Sequence, residues 1–214
     1  MKRNYKIAII LLPVLLITSI VLLSLIYDLD TFDNEGRYDD SALDYMSVIY
    51  ESQSDINAFN EGYSESSSCP WGFEHNGIDY FFNNGSKVLA AAPGKVMEIS
   101  WRDNGEGQSN RFFISVEIRF NKSVVLGYNF EPWTTDVADK DHQLDLLDVS
   151  EGDWVELGQQ IGTFLAIAPS AHIHFDVIES NSRTCPQKYF STAGYTEIMS
   201  MIHSYNSTWN LCYP

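Results

Sequence analysis

Polar and apolar positions alternate most clearly between Arg111 and Phe120, where Ile114, Val116, Ile118 and Phe120 are separated by Ser115, Glu117 and Arg119. A period of two marks a strand with one face on a core and the other in a polar setting. Ser123–Phe130 is also strand-like, and Lys95–Trp101 precedes both across the turn-forming run Asp103-Asn-Gly-Glu-Gly107. The spacing predicts successive antiparallel strands. In the strand expected around His172, the apolar Ile173, Phe175 and Val177 are the predicted core face. Toward the end the period changes: Ile198, Met201, Ile202 and Tyr205 fall at i, i+3, i+4 and i+7, one face of an amphipathic helix. The expected fold is mainly β, an antiparallel sheet with one C-terminal helix.

The opposite extreme is Ile7–Tyr27, 21 residues without a charge. As a helix this run spans about 31 Å, the hydrocarbon thickness of a bilayer. Lys2, Arg3 and Lys6 precede it and Asp28, Asp30, Asp33 and Glu35 follow it, so the positive-inside rule puts the N-terminus in the cytoplasm and residues 28–214 outside. A cleaved secretory signal is the alternative. The run is longer than a signal core and ends in Leu-Ile-Tyr-Asp without a small-residue cleavage site, which favours a membrane anchor, and either form exports the rest.

Charge sharpens the division. The 214 residues carry 29 acidic and 13 basic side chains, a formal charge of −16, and no basic cluster suited to phosphates, so nucleic acid is excluded as a partner. Residues 28–68 hold eleven acids and one base, Arg37. They read as an acidic linker between the anchor (1–27) and a domain at 69–214, although Leu43, Met46 and Tyr50 stand at helical spacing. A second acidic stretch, 131–148, has six acids against Lys140 and reads as a loop inserted in the domain. Cys69, Cys185 and Cys212 suggest one disulfide and one odd thiol in an exported domain, with Cys69–Cys212 the first choice of pair because it brackets the domain. Asn84, Asn121 and Asn206 begin glycosylation sequons.

Three of the five histidines lie in two short motifs, His75-Asn-Gly-Ile-Asp79 and His172-Ile-His174-Phe-Asp176. On a strand His172 and His174 share one face, about 6.6 Å apart. Two imidazoles on a rigid strand, joined by a His and an Asp from elsewhere, supply the nitrogen and oxygen donors zinc accepts. Either motif alone is better read as surface polar residues or a turn, because single histidines are common on surfaces.

Together, with the intervening Val88–Val96 and Val149–Gly162 segments, the motifs resemble the lysostaphin and LytM-type zinc endopeptidases, which cleave peptide bridges in bacterial cell walls. The resemblance runs from about Pro70 to Phe190. It implies a β-rich, barrel-sandwich fold with a duplicated hybrid motif, one Zn2+ ion on His75, Asp79 and His174, catalytic assistance from His172, and a peptide or peptidoglycan substrate. The family's second catalytic imidazole, in a Tyr-x-His-Leu segment, is missing. Tyr128 stands where it belongs and is expected to act as a hydrogen-bond donor to an oxyanion; His142, in the 131–148 insertion, is the one nearby histidine able to replace it. Pro169-Ser-Ala171 also departs from the family's Gly-rich approach to the second motif.

Two functions follow: a membrane-anchored extracytoplasmic zinc metalloendopeptidase, or a zinc-bearing binding module that has lost catalysis with the imidazole. A biotinyl- or lipoyl-type carrier, whose barrel the Val149–Gly162 segment also resembles, is excluded because no lysine lies between Lys140 and Lys188. Oligomeric state and the bond cleaved are not legible in the chain.

Overall fold

The alternating segments become the long strands of one sheet. The computed structural model describes residues 42–214, and the expected membrane span at 7–27 lies outside them, as does the linker up to residue 41. Among the described residues no helix is long and apolar enough to cross a membrane. The strands in chain order are β1 (Ile56–Ala58), β2 (Tyr63–Ser64), β3 (Ile78–Phe82), β4 (Lys87–Leu89), β5 (Gly94–Asp103) and β6 (Phe112–Arg119). They continue with β7 (Val124–Thr134), β8 (Trp154–Val155), β9 (Gln160–Thr163), β10 (His172–Glu179), β11 (Ser182–Thr184) and β12 (Cys212–Tyr213). The helices are α1 (Val137–Asp145) and α2 (Thr192–Tyr205).

The main sheet runs β1-β3-β10-β7-β6-β5-β8, with β11 paired to β10, and every pairing in it is antiparallel. Two small ladders stand apart, β4 with β9 and, in parallel, β2 with β12. The pleat sorts the four central strands into two faces. Ile78, Tyr80 and Phe82, Ile173, Phe175 and Val177, Leu126, Tyr128 and Phe130, and Ile114, Val116 and Ile118 are all fully buried on one of them. Each such side chain contributes about 1.5–3 kcal/mol of transfer free energy, which fixes the register, because a slip of one residue would exchange the faces. The other face carries Asp79, His172, His174, Asp176, Asn129, Glu131, Ser115 and Glu117.

The C-terminal helix forms where the 3.6-residue period places it. Ser191 caps α2 by accepting from the Gly194 N–H, and Ile198, Met201 and Ile202 are buried; Tyr205 stays exposed but donates its hydroxyl to the Ile56 carbonyl at 2.6 Å.

Three expectations are corrected. The acidic linker does not extend to residue 68: Leu43, Met46, Ile49, Tyr50, Ile56, Phe59 and Tyr63 are buried in the folded unit. Nor do 43–50 form a helix. Met46 instead donates to the Tyr189 carbonyl and Ile49 accepts from Leu89, because burial against neighbouring strands outweighs local periodicity. The 131–148 insertion is ordered, its first part completing β7 and its second forming α1. Asp136 caps α1, and the buried Gln143 ties it down by donating to the Thr163 carbonyl and accepting from the Leu165 N–H.

The disulfide is Cys185–Cys212, with Cα atoms 5.9 Å apart, and Cys69 is free. The parallel pairing of β12 with β2 brings Cys212 beside the segment that follows β11, while Cys69 sits in a turn with its thiol on the Phe73 carbonyl. Replacing Cys185 or Cys212 with Ser is expected to lower unfolding free energy by about 2–4 kcal/mol, whereas Cys69→Ser leaves it within about 0.5 kcal/mol. Denaturant unfolding of the three variants checks the pairing.

Candidate metal centre

Strands β3 and β10 lie side by side with Asp79 directly opposite His174. His75, on the approach to β3, is fixed by a two-way backbone bridge with Ser64 of β2. Three donor atoms consequently meet: His75 Nε2 and His174 Nδ1 are 3.2 Å apart, His75 Nε2 and Asp79 Oδ1 3.2 Å, and His174 Nδ1 and Asp79 Oδ1 2.8 Å. Donors about 2.0–2.1 Å from a tetrahedral zinc stand roughly 3.3 Å from each other. The triangle is thus close to one face of such a site, and the three side chains form a cluster able to hold a metal ion.

Outer contacts determine which ring nitrogen is available. His75 donates from Nδ1 to the Gly62 carbonyl at 2.8 Å, so its Nε2 is the atom turned to the triangle. Behind His174, Nε2 faces Asp176 Oδ2 at 3.8 Å, and that carboxylate, 2 % exposed, is held by Arg183 Nε at 2.8 Å. Partners of this kind orient ligating imidazoles and raise their basicity. Two glycines make room. A Cβ on Gly77 would stand 2.5 Å from His174 Nε2, and one on Gly127 would meet the Asp176 carboxylate.

Electrostatics follow from depth. Burial opposes ionisation of Asp79, but hydrogen bonds from His174 and His75 outweigh it and hold the carboxyl well below the usual range. In return, burial disfavours a charged His75, while Asp79, the Gly62 carbonyl and Glu61 push its pKa up to about 9; His174 is raised through Asp79 as well. Glu61, whose Oε2 lies 3.9 Å from His75 Nε2, is pushed up by burial and by the Asp79 charge.

His172 sits one pleat along from His174. Its Nδ1 donates to the Ser170 carbonyl at 2.8 Å, which leaves the Nε2 lone pair facing Asp79 Oδ2 and Glu131 Oε2, each 3.6 Å away. Four of the five sequence-predicted site residues, His75, Asp79, His172 and His174, line one groove of about 560 Å³ together with Asn104, Gln108, Ser109, Asn110, Glu131 and Trp133. Trp133 is held at φ 62°, a costly conformation for a large side chain, with its ring 5.7 Å from that of His172.

Tyr128 is not in this groove. It stands opposite Phe175 on the apolar face, fully buried, and its oxygen accepts from the Ala91 N–H at 2.8 Å; burial pushes its pKa well up, against the opposing pull of the Ala91 hydrogen bond. The expected oxyanion role is therefore corrected, since the backbone of the sheet separates the hydroxyl from the metal ligands. His142 is exposed on α1 and is absent from the groove. Sequence reasoning missed Glu61, Gly62, Glu131 and Trp133. The signal for Glu131 was present: Leu126, Tyr128 and Phe130 share one parity on β7, so Asn129 and Glu131 must face the other way.

Gly77→Ala is expected to displace the His174 ring and abolish binding of a zinc probe, whereas Tyr128→Phe keeps zinc binding and loses about 0.5–1.5 kcal/mol of stability with its hydrogen bond. Calorimetric zinc titration and denaturant unfolding of both variants separate a residue at the centre from one behind it.

No family model matches the chain. Glycyl-glycine endopeptidase ALE-1 of Staphylococcus capitis is 29% identical over 132 residues, covering 58% of this chain and 31% of that protein. Lysostaphin of Staphylococcus simulans is 28% identical over 151 residues, 65% of this chain and 26% of that protein. The chain thus matches under a third of the length of these curated relatives. Among solved structures, the catalytic domain of S. simulans lysostaphin aligns at 22% identity and a TM-score of 0.41, over 63% of this chain and 91% of that one. By sequence, the chain is similar to lysostaphin and to the glycyl-glycine endopeptidase ALE-1.

Proposed function

We propose that the chain is a membrane-anchored, extracytoplasmic zinc metalloendopeptidase that hydrolyses peptide bonds in cell-wall peptides. The observation that carries this reading is the donor triangle of His75, Asp79 and His174 on the wall of an open groove, beside an imidazole, His172, with its Nε2 lone pair free. A relative named a glycyl-glycine endopeptidase supports a peptide substrate with small residues. The uncharged run at 7–27 and the cations before it support the anchor and the outward-facing domain.

His75, Asp79 and His174 would hold the zinc, which when bound would supply Lewis acidity toward a peptide carbonyl and a lowered pKa for water. This chain's own groups then have defined tasks. Asp176 and the Gly62 carbonyl orient the two ligand imidazoles from behind. Nε2 of His172 accepts a proton from the attacking water, because Nδ1 is committed to Ser170. The groove admits an extended peptide along a wall of amide side chains that match backbone donors and acceptors.

A second reading, a zinc-bearing peptide-binding module, draws on one observation: neither Tyr128 nor His142 lies in the groove to replace the family's second catalytic imidazole. The purified full chain in detergent distinguishes the two. The peptidase binds one zinc per chain, loses it in His75→Ala and His174→Ala, and cleaves Gly-rich or wall-derived peptides until a chelator is added. Stoichiometric zinc without chelator-sensitive cleavage establishes the binding module instead, and no zinc at all defeats both.

The metal-free charge state gives a further check. With its pKa at about 9, His75 is protonated at pH 7.5 and must lose that proton to bind a metal. Zinc loading is expected to release a proton, and affinity to rise with pH until about 9; titrations in buffers of different ionisation enthalpy measure the release.

A further inference from the structure

The position that faces His172 across the sheet is occupied by a carboxylate. His172 and Glu131 are direct register partners on β10 and β7, both on the groove face, and His172 Nε2 lies 3.6 Å from Glu131 Oε2. The Asn110 side-chain amide, from the β5–β6 connection, donates to that same oxygen. Glu131 therefore borders the space next to the base and Asp79, where a scissile bond has to lie, while the tyrosine that precedes it on β7 is shut behind the sheet.

We infer that Glu131 is the second catalytic residue of this centre, a carboxylic acid that delivers a proton to the departing amine. The inference rests on the peptidase reading above. In the reaction, the water oxygen bonds to the peptide carbonyl carbon and one water proton passes to His172 Nε2. The C–N bond then breaks, its electron pair going to nitrogen, which takes the Glu131 proton. His172 is left protonated and Glu131 ionised, 3.6 Å apart, and transfer between them restores both. No oxidant or further reactant is needed: one water is consumed per bond.

The surroundings of Glu131 suit an acid that keeps its proton. It is half-buried, and that burial pushes its carboxyl up, as does the Asp79 charge from β3; His172 and His174 from β10 and the Asn110 hydrogen bond pull the other way. A general acid works best when its pKa approaches the operating pH.

The test uses the zinc-loaded full chain with Glu131→Gln and Glu131→His. Gln keeps the shape and the Asn110 contact but carries no transferable proton, so kcat is expected to fall about 10²–10⁴-fold with KM within about threefold and zinc still at one per chain. The alkaline limb of the parent's kcat profile, set by loss of the Glu131 proton, disappears in the same variant. Glu131→His restores proton transfer and is expected to exceed the Gln variant by at least about tenfold. A Gln variant within tenfold of the parent overturns the assignment and leaves the peptidase reading standing, as does a His variant no better than Gln. Loss of zinc in the Gln variant also overturns it, because the residue would then support the metal ligands. A parent that binds zinc and cleaves nothing defeats the peptidase reading itself, and this inference with it.

Discussion

Asp79 is ionised at 4 % exposure, and the rest of the centre is arranged around meeting that charge. A carboxylate at such depth survives only where donors or cations replace the water it has lost. Two imidazoles supply them, one from the adjoining strand and one from the loop before its own, and both pKa values rise in response. The same arrangement that satisfies the carboxylate in the metal-free protein gathers three donor atoms at the spacing a tetrahedral ion requires. Fold stability and metal capacity thus draw on one electrostatic contact, with a proton and a metal ion as rival ways to balance it.

The sheet makes this possible by keeping two incompatible environments a single pleat apart. On β10, Ile173, Phe175 and Val177 lie in a dry core while His172, His174 and Asp176 form a polar row. The neighbouring strands repeat the division, so the polar face of the sheet acquires Asn129 and Glu131 from β7 and Ser115 and Glu117 from β6. Polar groups on a largely buried face are costly unless partnered. Here Arg183 meets Asp176 and Asn110 meets Glu131, each from outside the central strands.

Much of this was legible in the chain, and what was not has physical reasons. The alternation in 111–120 and 172–178 located two central strands and the shared face of His172 and His174, because a period of two has no other outcome once one face is buried. Residues 42–64 were hidden by composition: their acids dominate any windowed reading, although Met46, Ile49 and Phe59 are among the most buried side chains. Tyr128 was misplaced by matching a motif when its parity with Leu126 and Phe130 already set it on the core face. The disulfide depended on the β2–β12 pairing, a contact between distant segments that no local pattern encodes. The carbonyls of Glu61 and Gly62 reach the centre through backbone geometry, which leaves no mark on residue type.

That last contact changes where the functional unit begins. The carbonyl of Gly62 selects the ring nitrogen that His75 presents, and the carbonyl of Glu61 accepts the N–H of Asp79. Both belong to the stretch that composition assigns to a spacer, and β1, in the same stretch, forms one border of the main sheet. An excised fragment started at Cys69 would retain every motif residue yet leave His75 free to adopt either tautomer and strip the β3 edge of its partner. The minimal autonomous module is accordingly longer than its motifs, and the segment leading out of it toward the N-terminus is part of the machinery that sets the ligand geometry.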